Sequence, residues 1–276
     1  MIRIGYLGPE GTFSEEATIR YAAGREVTIA DRPSLEDIFR DVATGRLDQG
    51  VVPVENSTEG AVGAVLDLLA GPYNLCVHGE IFLPVRQTLM ARRGLRLEQV
   101  ERVISHYQAL EQCRGFLRRR LPAALLEECA STAAAAGRVA ASAAPWAALG
   151  PARAGLKHGL QEIAPNANDY PDNVTRFWIL GKEPRPAKSE QNYKTSIVFG
   201  LGDRPGALYT ILREFALRGI NLTRIESRPA KKNLGEYLFF IDLMGGQEES
   251  MVREALQEVN SITLGLKILG SYPVEA

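Results

Sequence analysis

Residues 182–192, with the sequence KEPRPAKSEQN, divide the chain into two parts. Apolar residues nearly vanish in this stretch, and its two prolines stiffen the backbone, as is typical of a linker between domains. We therefore predict a first domain over residues 1–183, a linker over residues 184–193 and a second domain over residues 194–276.

The part after the linker has a simple pattern of strands and helices. It reads strand, helix, strand, strand, helix, strand, which predicts a small ferredoxin-like βαββαβ sandwich. The strands are predicted at 194–200, 221–229, 235–243 and 262–271, and the helices at 206–218 and 248–259.

The part before the linker alternates short apolar runs with helix-like stretches. This alternation is typical of an α/β domain with a mostly parallel sheet and helical crossovers. Ser34 and Ser131 each stand where a hydroxyl N-cap would open one of the helices. The strands are predicted at 2–7, 27–31, 49–54, 75–91, 101–105, 124–129, 145–149 and 174–181.

Composition argues against several classes of protein. Lys and Arg together number 32 and Asp and Glu 33, so there is no excess of positive charge with which to bind nucleic acid or an anionic membrane. The apolar run at residues 1–7 is too short for a signal peptide or a spanning helix, which predicts a cytoplasmic location. Three widely spaced cysteines and three scattered histidines predict reduced thiols and no metal site.

Polar clusters follow several of the predicted strands, at the sheet edge where helix N-termini favour anions. The first is GPEGTFS at 8–14, in which two glycines allow a ligand to approach the backbone and two hydroxyls could bond to it. On spacing alone, a glycine turn capped by Thr12 or Ser14 is the favoured interpretation.

A second cluster is PVENSTEG at 53–60, just before a helix that we expect to begin near Ala61. One N-cap does not easily explain four polar residues in a row, so a binding loop and a structural loop are both open. SHYQ at 105–108 and ST at 131–132 repeat the arrangement. Four polar loops of one type suggest one cleft.

The last cluster is NVTRFW at 173–178, where Thr175 and Arg176 interrupt an otherwise apolar strand. From this segment alone, an ion pair of Arg176 with Asp172 or Glu55 is the favoured interpretation. In the functional alternative, the planar guanidinium of Arg176 grips a substrate carboxylate beside the Thr175 hydroxyl.

The motifs GPEGTFSE, PVENSTEG, SHYQALEQC, STAAAA and NVTRF, in this order, resemble the prephenate dehydratase family over residues 1–181. RPGALY at 204–209 and NLTRIESRP at 221–229 resemble the ACT regulatory domain of the same family. The resemblance implies an α/β catalytic domain of two lobes, like those of periplasmic binding proteins, followed by the ferredoxin-like ACT domain.

The same resemblance implies a function. It is the lyase reaction that converts prephenate to phenylpyruvate, water and carbon dioxide in L-phenylalanine biosynthesis, with no cofactor and no metal. The chain shows no helical N-terminal extension of the kind that signals a fused chorismate mutase, so we expect one activity. Arogenate dehydratase activity is the rival among enzymes, and a non-catalytic amino-acid-sensing binding protein is the rival outside them.

Individual roles follow from the matching motifs. Thr175 would be the catalytic residue that gives a hydrogen bond or a proton to the departing hydroxyl. The family usually has proline where this chain has Tyr107 in the third motif. Phe13 or Phe177 would pack against the substrate ring. The substrate-binding residues that the resemblance implies are Thr12, Phe13, Asn56, Ser57, His106, Gln108, Ser131, Thr132, Arg176 and Phe177.

In the second domain, the resemblance implies a binding site for L-phenylalanine between the subunits of a homodimer or homotetramer. The amides of a glycine turn at a helix start would bind the α-carboxylate. The plainer alternative, in which Gly206 only opens a helix and the strand is ordinary core, stays open. The implied effector-binding residues are Gly206, Ala207 and Leu208 of one subunit and Asn221, Leu222, Glu226, Ser227 and Arg228 of another.

Overall fold

The computed structural model describes residues 1–185, 192–230 and 236–274. The predicted α/β class is confirmed, because strands and helices alternate and the strands within these residues form three sheets. Most of the predicted linker, residues 186–191, lies outside the described residues, as does the predicted strand start at residue 235. The domain boundaries therefore stay a prediction.

The first two sheets are built from residues 2–181. One sheet has the strand order β2-β1-β3-β11-β5, with β4 paired to β3, and the other has the order β10-β6-β9-β7-β8. The strands are β1 (Ile2–Leu7), β2 (Val27–Arg32), β3 (Gln49–Asn56), β4 (Gly60–Ala61), β5 (Cys76–Pro84), β6 (Thr88–Ala91), β7 (Arg102–Ser105), β8 (Leu125–Glu128), β9 (Trp146–Gly150), β10 (Gln161–Ala164) and β11 (Val174–Gly181).

Helices connect these strands, as predicted for an α/β arrangement. β1 and β2 pair in parallel, as do β7 and its neighbours β8 and β9, while β6 runs antiparallel to β9 and β10. The helices are α1 (Phe13–Ala22), α2 (Leu35–Ala43), α3 (Gly63–Ala70), α4 (Tyr107–Gln112), α5 (Arg114–Arg120), α6 (Thr132–Ala141) and α7 (Ala152–Lys157), with a short 3-10 helix at Leu97–Gln99.

The last part of the chain confirms the βαββαβ order. Its sheet has the order β13-β14-β12-β15, with each neighbouring pair antiparallel. The elements are β12 (Tyr193–Leu201), α8 (Ala207–Leu217), β13 (Leu222–Pro229), β14 (Tyr237–Met244), α9 (Ser250–Ile262) and β15 (Leu266–Pro273). The helix α9 buries Val252, Ala255, Leu256 and Val259, the three- and four-residue spacing of one helix face.

The structure differs from the predicted elements at three places. The run predicted as one strand at 75–91 forms two strands, β5 and β6, which separate after Pro84 because proline cannot donate to a ladder. The helix expected near Ala61 begins at Gly63, since Gly60 and Ala61 pair with β3 as a short strand. The strand β10 was not predicted, and its four residues give little alternating pattern to detect.

The chain divides into two compact units, each assembled from separate segments. The first consists of Met1–Ile38, Val51–Gly60 and Phe82–Phe177, and the second of Phe39–Gly50, Ala61–Ile81 and Trp178–Ala276. Within the first unit, apolar side chains of β6, β7 and β9 pack against α4, α5 and α6. Within the second, Ile197 and Phe199 of β12 pack with Ile211 and Phe215 of α8.

Two further features bear on the sequence predictions. All three cysteines are free thiols, and the Cys113 side chain is fully buried. Within residues 1–185, 192–230 and 236–274, no helix has the length and apolar character needed to cross a bilayer.

Candidate functional site

The start of β11 and the loop after β3 meet at the Thr175 hydroxyl. Asn56 donates through its Nδ2 to Thr175 Oγ1 at 2.8 Å and to Asn173 Oδ1, also at 2.8 Å. Ser57 donates to the same Asn173 oxygen at 3.3 Å, and its own Oγ accepts from the backbone amide of Val174 at 3.0 Å. The structure thus brings together the second and last polar clusters of the sequence.

The Asn56 amide has one possible orientation in this network. Its Oδ1 accepts from the backbone amides of Thr58 and Glu59 and from the Thr58 hydroxyl. Because the oxygen faces this turn, Nδ2 must face Asn173 and Thr175. The helix α3 that follows has Val62 as its N-cap and no side-chain cap, so helix capping does not explain these polar residues.

Glu59 connects the same loop to α4. Its carboxylate accepts from Gln108 Nε2 and from Gln112 Nε2, the latter at 2.6 Å. Gln112 also accepts from Gln87 Nε2 at 2.9 Å. The predicted residue Gln108 is therefore joined to the Asn56 loop through an exposed carboxylate.

His106 opens α4. It is the N-cap, and its Nδ1 accepts from the Gln108 backbone amide at 3.4 Å. Tyr107 occupies the first helical position, where proline is common, and it leaves the helix start intact with its ring 55% exposed. The substitution of tyrosine for proline therefore leaves His106 and Gln108 on one short helix start.

A separate group of loops surrounds Thr12. Gly11 has φ of 88°, and a Cβ on it would lie 3.2 Å from Ala154 Cα and 3.5 Å from Ala133 Cβ. Glycine is therefore needed where the loop after β1 approaches the starts of α6 and α7. Thr12 accepts from the Glu15 amide and so is the N-cap, one of the two caps, Thr12 or Ser14, that the sequence left open.

Ser131 and Thr132 open α6 beside this loop. Ser131 is the N-cap and accepts from the Ala134 amide at 3.0 Å. Thr132 is half-buried, and its Cβ would lie 2.8 Å from a Cβ placed on Gly150, so it packs tightly against the end of β9. Both α1 and α6 thus present N-termini with hydroxyl caps, and the positive ends of their dipoles favour anions.

Phe13 lines a pocket of about 640 Å³ beside these helix starts. Burial raises the pKa of Glu16 in its wall, and Arg153, also in the wall, acts in the opposite direction. The other lining residues include Arg20 and Arg86. Asn56 and Thr175 are not among the residues that line this pocket.

Arg176 and Phe177 are almost completely buried. Arg176 is 5% exposed, and its Nη1 lies 3.6 Å from Glu55 Oε2, the ion pair that the ordinary interpretation of the sequence favoured. Phe177 is 1% exposed, so its ring is part of the core. Packing of Phe177 against a substrate ring stays a prediction, and it would require this ring to become accessible.

The turn predicted to bind an effector opens α8. Gly206 is the N-cap with φ of 77°, a left-handed conformation that favours glycine, and no side chain caps the helix. Ala207 is buried and Leu208 half-buried. The Ala207 amide donates to the Arg204 carbonyl at 3.2 Å, so the other amides of the first turn are the groups that a carboxylate could bind here.

The other predicted effector residues lie on or beside β13, with alternating exposure. Asn221 and Ser227 are exposed, and Leu222 and Glu226 are half-buried. Arg228 donates two hydrogen bonds to Asp67 on α3, and a Cβ on Gly63 would lie only 2.3 Å from its Nη1. The Arg228 guanidinium is thus bound within the chain and packed on the first residue of α3.

Three polar residues in the hydrogen-bond network around Asn56 were not predicted from the sequence. Asn173 was read only as part of a motif, although it is 2% exposed and a buried asparagine needs partners. Gln112 lies one helical turn after Gln108, a spacing that places both on one face and could have identified it. No spacing in the sequence identifies Glu59, because only the fold brings its carboxylate to α4.

The fold and these polar loops define an α/β protein with a small α+β domain of the regulatory type. Its sequence matches the family model Prephenate dehydratase over residues 4–185 and the model ACT domain over residues 195–260. The chain belongs to the prephenate dehydratase family.

Curated relatives align over nearly the whole chain. A bifunctional chorismate mutase/prephenate dehydratase of Aquifex aeolicus is 41% identical over 99% of this chain and 74% of its own length. A prephenate dehydratase of Methanocaldococcus jannaschii is 40% identical over 98% of this chain and 97% of its own. A chloroplastic arogenate dehydratase/prephenate dehydratase of Arabidopsis thaliana is 36% identical over 99% of this chain and 73% of its own.

Two solved structures superpose closely. Prephenate dehydratase from Arthrobacter aurescens in complex with L-Phe has a TM-score of 0.90 at 36% identity, covering 99% of this chain and 90% of that one. A protein described as a quorum-quenching acylase has a TM-score of 0.88 at 28% identity, covering 99% and 98%. The same fold therefore serves more than one named activity, and the residues of the site must carry the assignment of the reaction.

Proposed function

We propose that this protein converts prephenate to phenylpyruvate, water and carbon dioxide, with Thr175 as the group that assists the departing hydroxyl. The observation that carries the proposal is the 2.8 Å hydrogen bond from Asn56 Nδ2 to Thr175 Oγ1. Because the Thr175 oxygen accepts from Asn56, its own proton is free to be donated elsewhere. A hydroxyl in this state is a hydrogen-bond donor aimed by its neighbours rather than a structural cap.

The reaction needs one proton at one oxygen. The bond from the ring to its carboxylate breaks, carbon dioxide leaves, and the electron pair enters the ring. The ring expels its hydroxyl, which takes a proton and departs as water. One prephenate dianion and one proton thus give phenylpyruvate, carbon dioxide and water. A threonine hydroxyl is a weak acid, so its contribution is orientation and stabilisation of charge on the leaving oxygen, with solvent restoring the proton.

The two carboxylates of prephenate need positive or donor groups. The N-termini of α1 and α6, capped by Thr12 and Ser131, supply partial positive charge of the required sign. Arg176 supplies a full charge, but it already lies 3.6 Å from Glu55. Its role in binding therefore depends on exchange of Glu55, whose side chain is 37% exposed, for a substrate carboxylate.

Regulation by L-phenylalanine is part of the proposal. It is supported by the ACT match and by the start of α8, which has no side-chain cap. The α-carboxylate would bind these amides, and Asn221 or Glu226 of a neighbouring subunit would meet the ammonium group. A homodimer or homotetramer in the cytoplasm is a further part of the proposal.

The experiment that tests the activity is an assay of purified protein with prephenate and with arogenate in parallel. Arogenate dehydratase activity is the alternative, supported by the arogenate dehydratase/prephenate dehydratase of Arabidopsis thaliana that aligns with this chain. We expect phenylpyruvate from prephenate, with the higher kcat/KM for that substrate. Phenylalanine formed from arogenate at the higher kcat/KM would support the alternative. No product from either substrate, together with binding of phenylalanine, would support a non-catalytic sensor.

A further inference from the structure

Asn173 is the residue before β11 and is almost completely buried, at 2% exposure. Its side-chain oxygen accepts two hydrogen bonds from the loop after β3, one from Asn56 Nδ2 at 2.8 Å and one from Ser57 Oγ at 3.3 Å. Its backbone carbonyl accepts separately from the Val85 amide at 2.8 Å. The side chain therefore bonds to the loop after β3, and the backbone carbonyl bonds to Val85.

The two hydrogens of Asn56 Nδ2 have different partners. One goes to Asn173 Oδ1 and the other to Thr175 Oγ1, both at 2.8 Å. The amide is planar, so the direction of the first hydrogen bond fixes the direction of the second. The three hydrogen bonds to Oδ1 set which end of the amide faces Thr175, and Asn173 is the second partner that sets the direction of the Nδ2 hydrogens. No hydrogen bond joins Asn173 directly to Thr175 in the described residues.

Asn56 without this acceptor has a less defined position. Its Oδ1 remains bonded to the turn at Thr58 and Glu59, but without Asn173 the plane of the amide can tilt about this anchor. This tilt moves Nδ2 away from Thr175, and the threonine hydroxyl then gains freedom to turn its proton back toward the loop. A small displacement of a catalytic group lowers turnover more than it lowers the affinity for the substrate.

We propose that Asn173 is a positioning residue for the dehydration step: it holds the Asn56 amide so that Thr175 accepts from Asn56 and presents its proton to the leaving hydroxyl. The inference rests on the proposed function, because it concerns the same Thr175 hydroxyl. Asn173 would act through Asn56 and would not itself contact the substrate.

A double-mutant cycle tests this inference. The variants are Asn173→Ala, Asn56→Ala and the two combined, with Asn260→Ala, an exposed asparagine on α9, as the matched control. Turnover and KM for prephenate are measured for each variant, together with the melting temperature. The unaltered protein must turn over prephenate in the same assay, so that failure of the proposed activity is seen separately.

The expected result is a fall in kcat of about tenfold for Asn173→Ala with KM changed by less than about twofold. In the background of Asn56→Ala, removal of Asn173 should lower kcat by no more than about another twofold, because the residue through which it acts is already absent. If Asn173 had a purely structural role, the losses of kcat in the two single variants would multiply in the combined variant. Independent, multiplicative losses in the combined variant, or an unchanged kcat in Asn173→Ala, would overturn the inference.

A second variant covers the case in which Asn173→Ala fails to fold. Asn173→Asp keeps an accepting oxygen for Asn56 Nδ2 while it removes the Nδ2 group, which has no hydrogen-bond partner within the described residues. We expect Asn173→Asp to retain a kcat at least about threefold above that of Asn173→Leu, which keeps the volume but has no acceptor. Equal turnover in the two folded variants would contradict positioning through that oxygen.

Discussion

Arg228 donates two hydrogen bonds to Asp67, from Nε to Oδ1 at 3.0 Å and from Nη2 to Oδ2 at 2.9 Å. This paired geometry is the strongest form of Arg–carboxylate contact. The hydrogen bond to Asp67 is also the main reason that the pKa of Arg228 is raised. The pair joins the strand predicted to bind the effector to α3, which follows the Asn56 loop directly in the chain.

The first prediction concerns this pair. Asp67→Asn removes the charge and one accepting oxygen, and both residues are about a quarter exposed, so we expect a loss of about 1–2 kcal/mol in the free energy of unfolding. Because Arg228 is then free to move on β13, we also expect weaker binding of L-phenylalanine by calorimetry. Glu258→Gln, on the exposed face of α9, is the matched control. Unchanged stability and affinity in Asp67→Asn would contradict the prediction.

The second prediction is a pH dependence of stability that arises from His78. Burial lowers the pKa of His78 below its ordinary value of 6.5, and its Nε2 contacts the Glu183 carbonyl oxygen at 2.6 Å. Between the lowered pKa and about 6.5, the unfolded chain binds a proton that the folded chain does not. The contribution of His78 to stability is therefore complete above about pH 6.5 and decreases as the pH falls through this window.

Urea unfolding at several pH values between about 5 and 7 measures this effect. His78→Gln keeps a side-chain NH group for the Glu183 carbonyl but does not titrate, so its stability should depend less on pH. His158→Gln, at an exposed histidine, is the control. The same pH slope in His78→Gln as in the unaltered protein would assign the effect to other groups.

The third prediction separates the two interpretations of Arg176. If its guanidinium grips a substrate carboxylate, Arg176→Lys raises KM, because one ammonium cannot reproduce a bidentate contact. Glu55→Gln would then lower KM or leave it unchanged, since it releases Arg176 from the ion pair at 3.6 Å. In steady-state kinetics, an unchanged KM in Arg176→Lys together with reduced stability would leave only the structural role.

Much of the fold could be predicted because its signals are local. The βαββαβ order of residues 193–273 follows from alternating apolar runs and two amphipathic helices, and every element was placed within a few residues. The caps at Ser34, Thr12 and Ser131 could also be predicted, since an N-cap depends on three or four neighbouring residues.

The contacts of the site depended on the fold and could be predicted only in part. The motifs indicated Asn56 and Thr175, but nothing in their spacing of 119 positions shows that their side chains touch. Arg228 was assigned to an effector by its motif, whereas its partner Asp67 is 161 positions away. Long-range pairs of this kind are set by strand order, which a single sequence leaves open.

The central claim is that the Thr175 hydroxyl assists departure of the ring hydroxyl, and turnover of prephenate by Thr175→Ala and Thr175→Ser tests it most directly. We predict that kcat falls by about 10²–10³ in Thr175→Ala, the usual scale for loss of one transition-state donor, with the melting temperature little changed. Thr175→Ser, which keeps the hydroxyl, should retain much more of the turnover. Near-normal kcat in a folded Thr175→Ala would contradict the account.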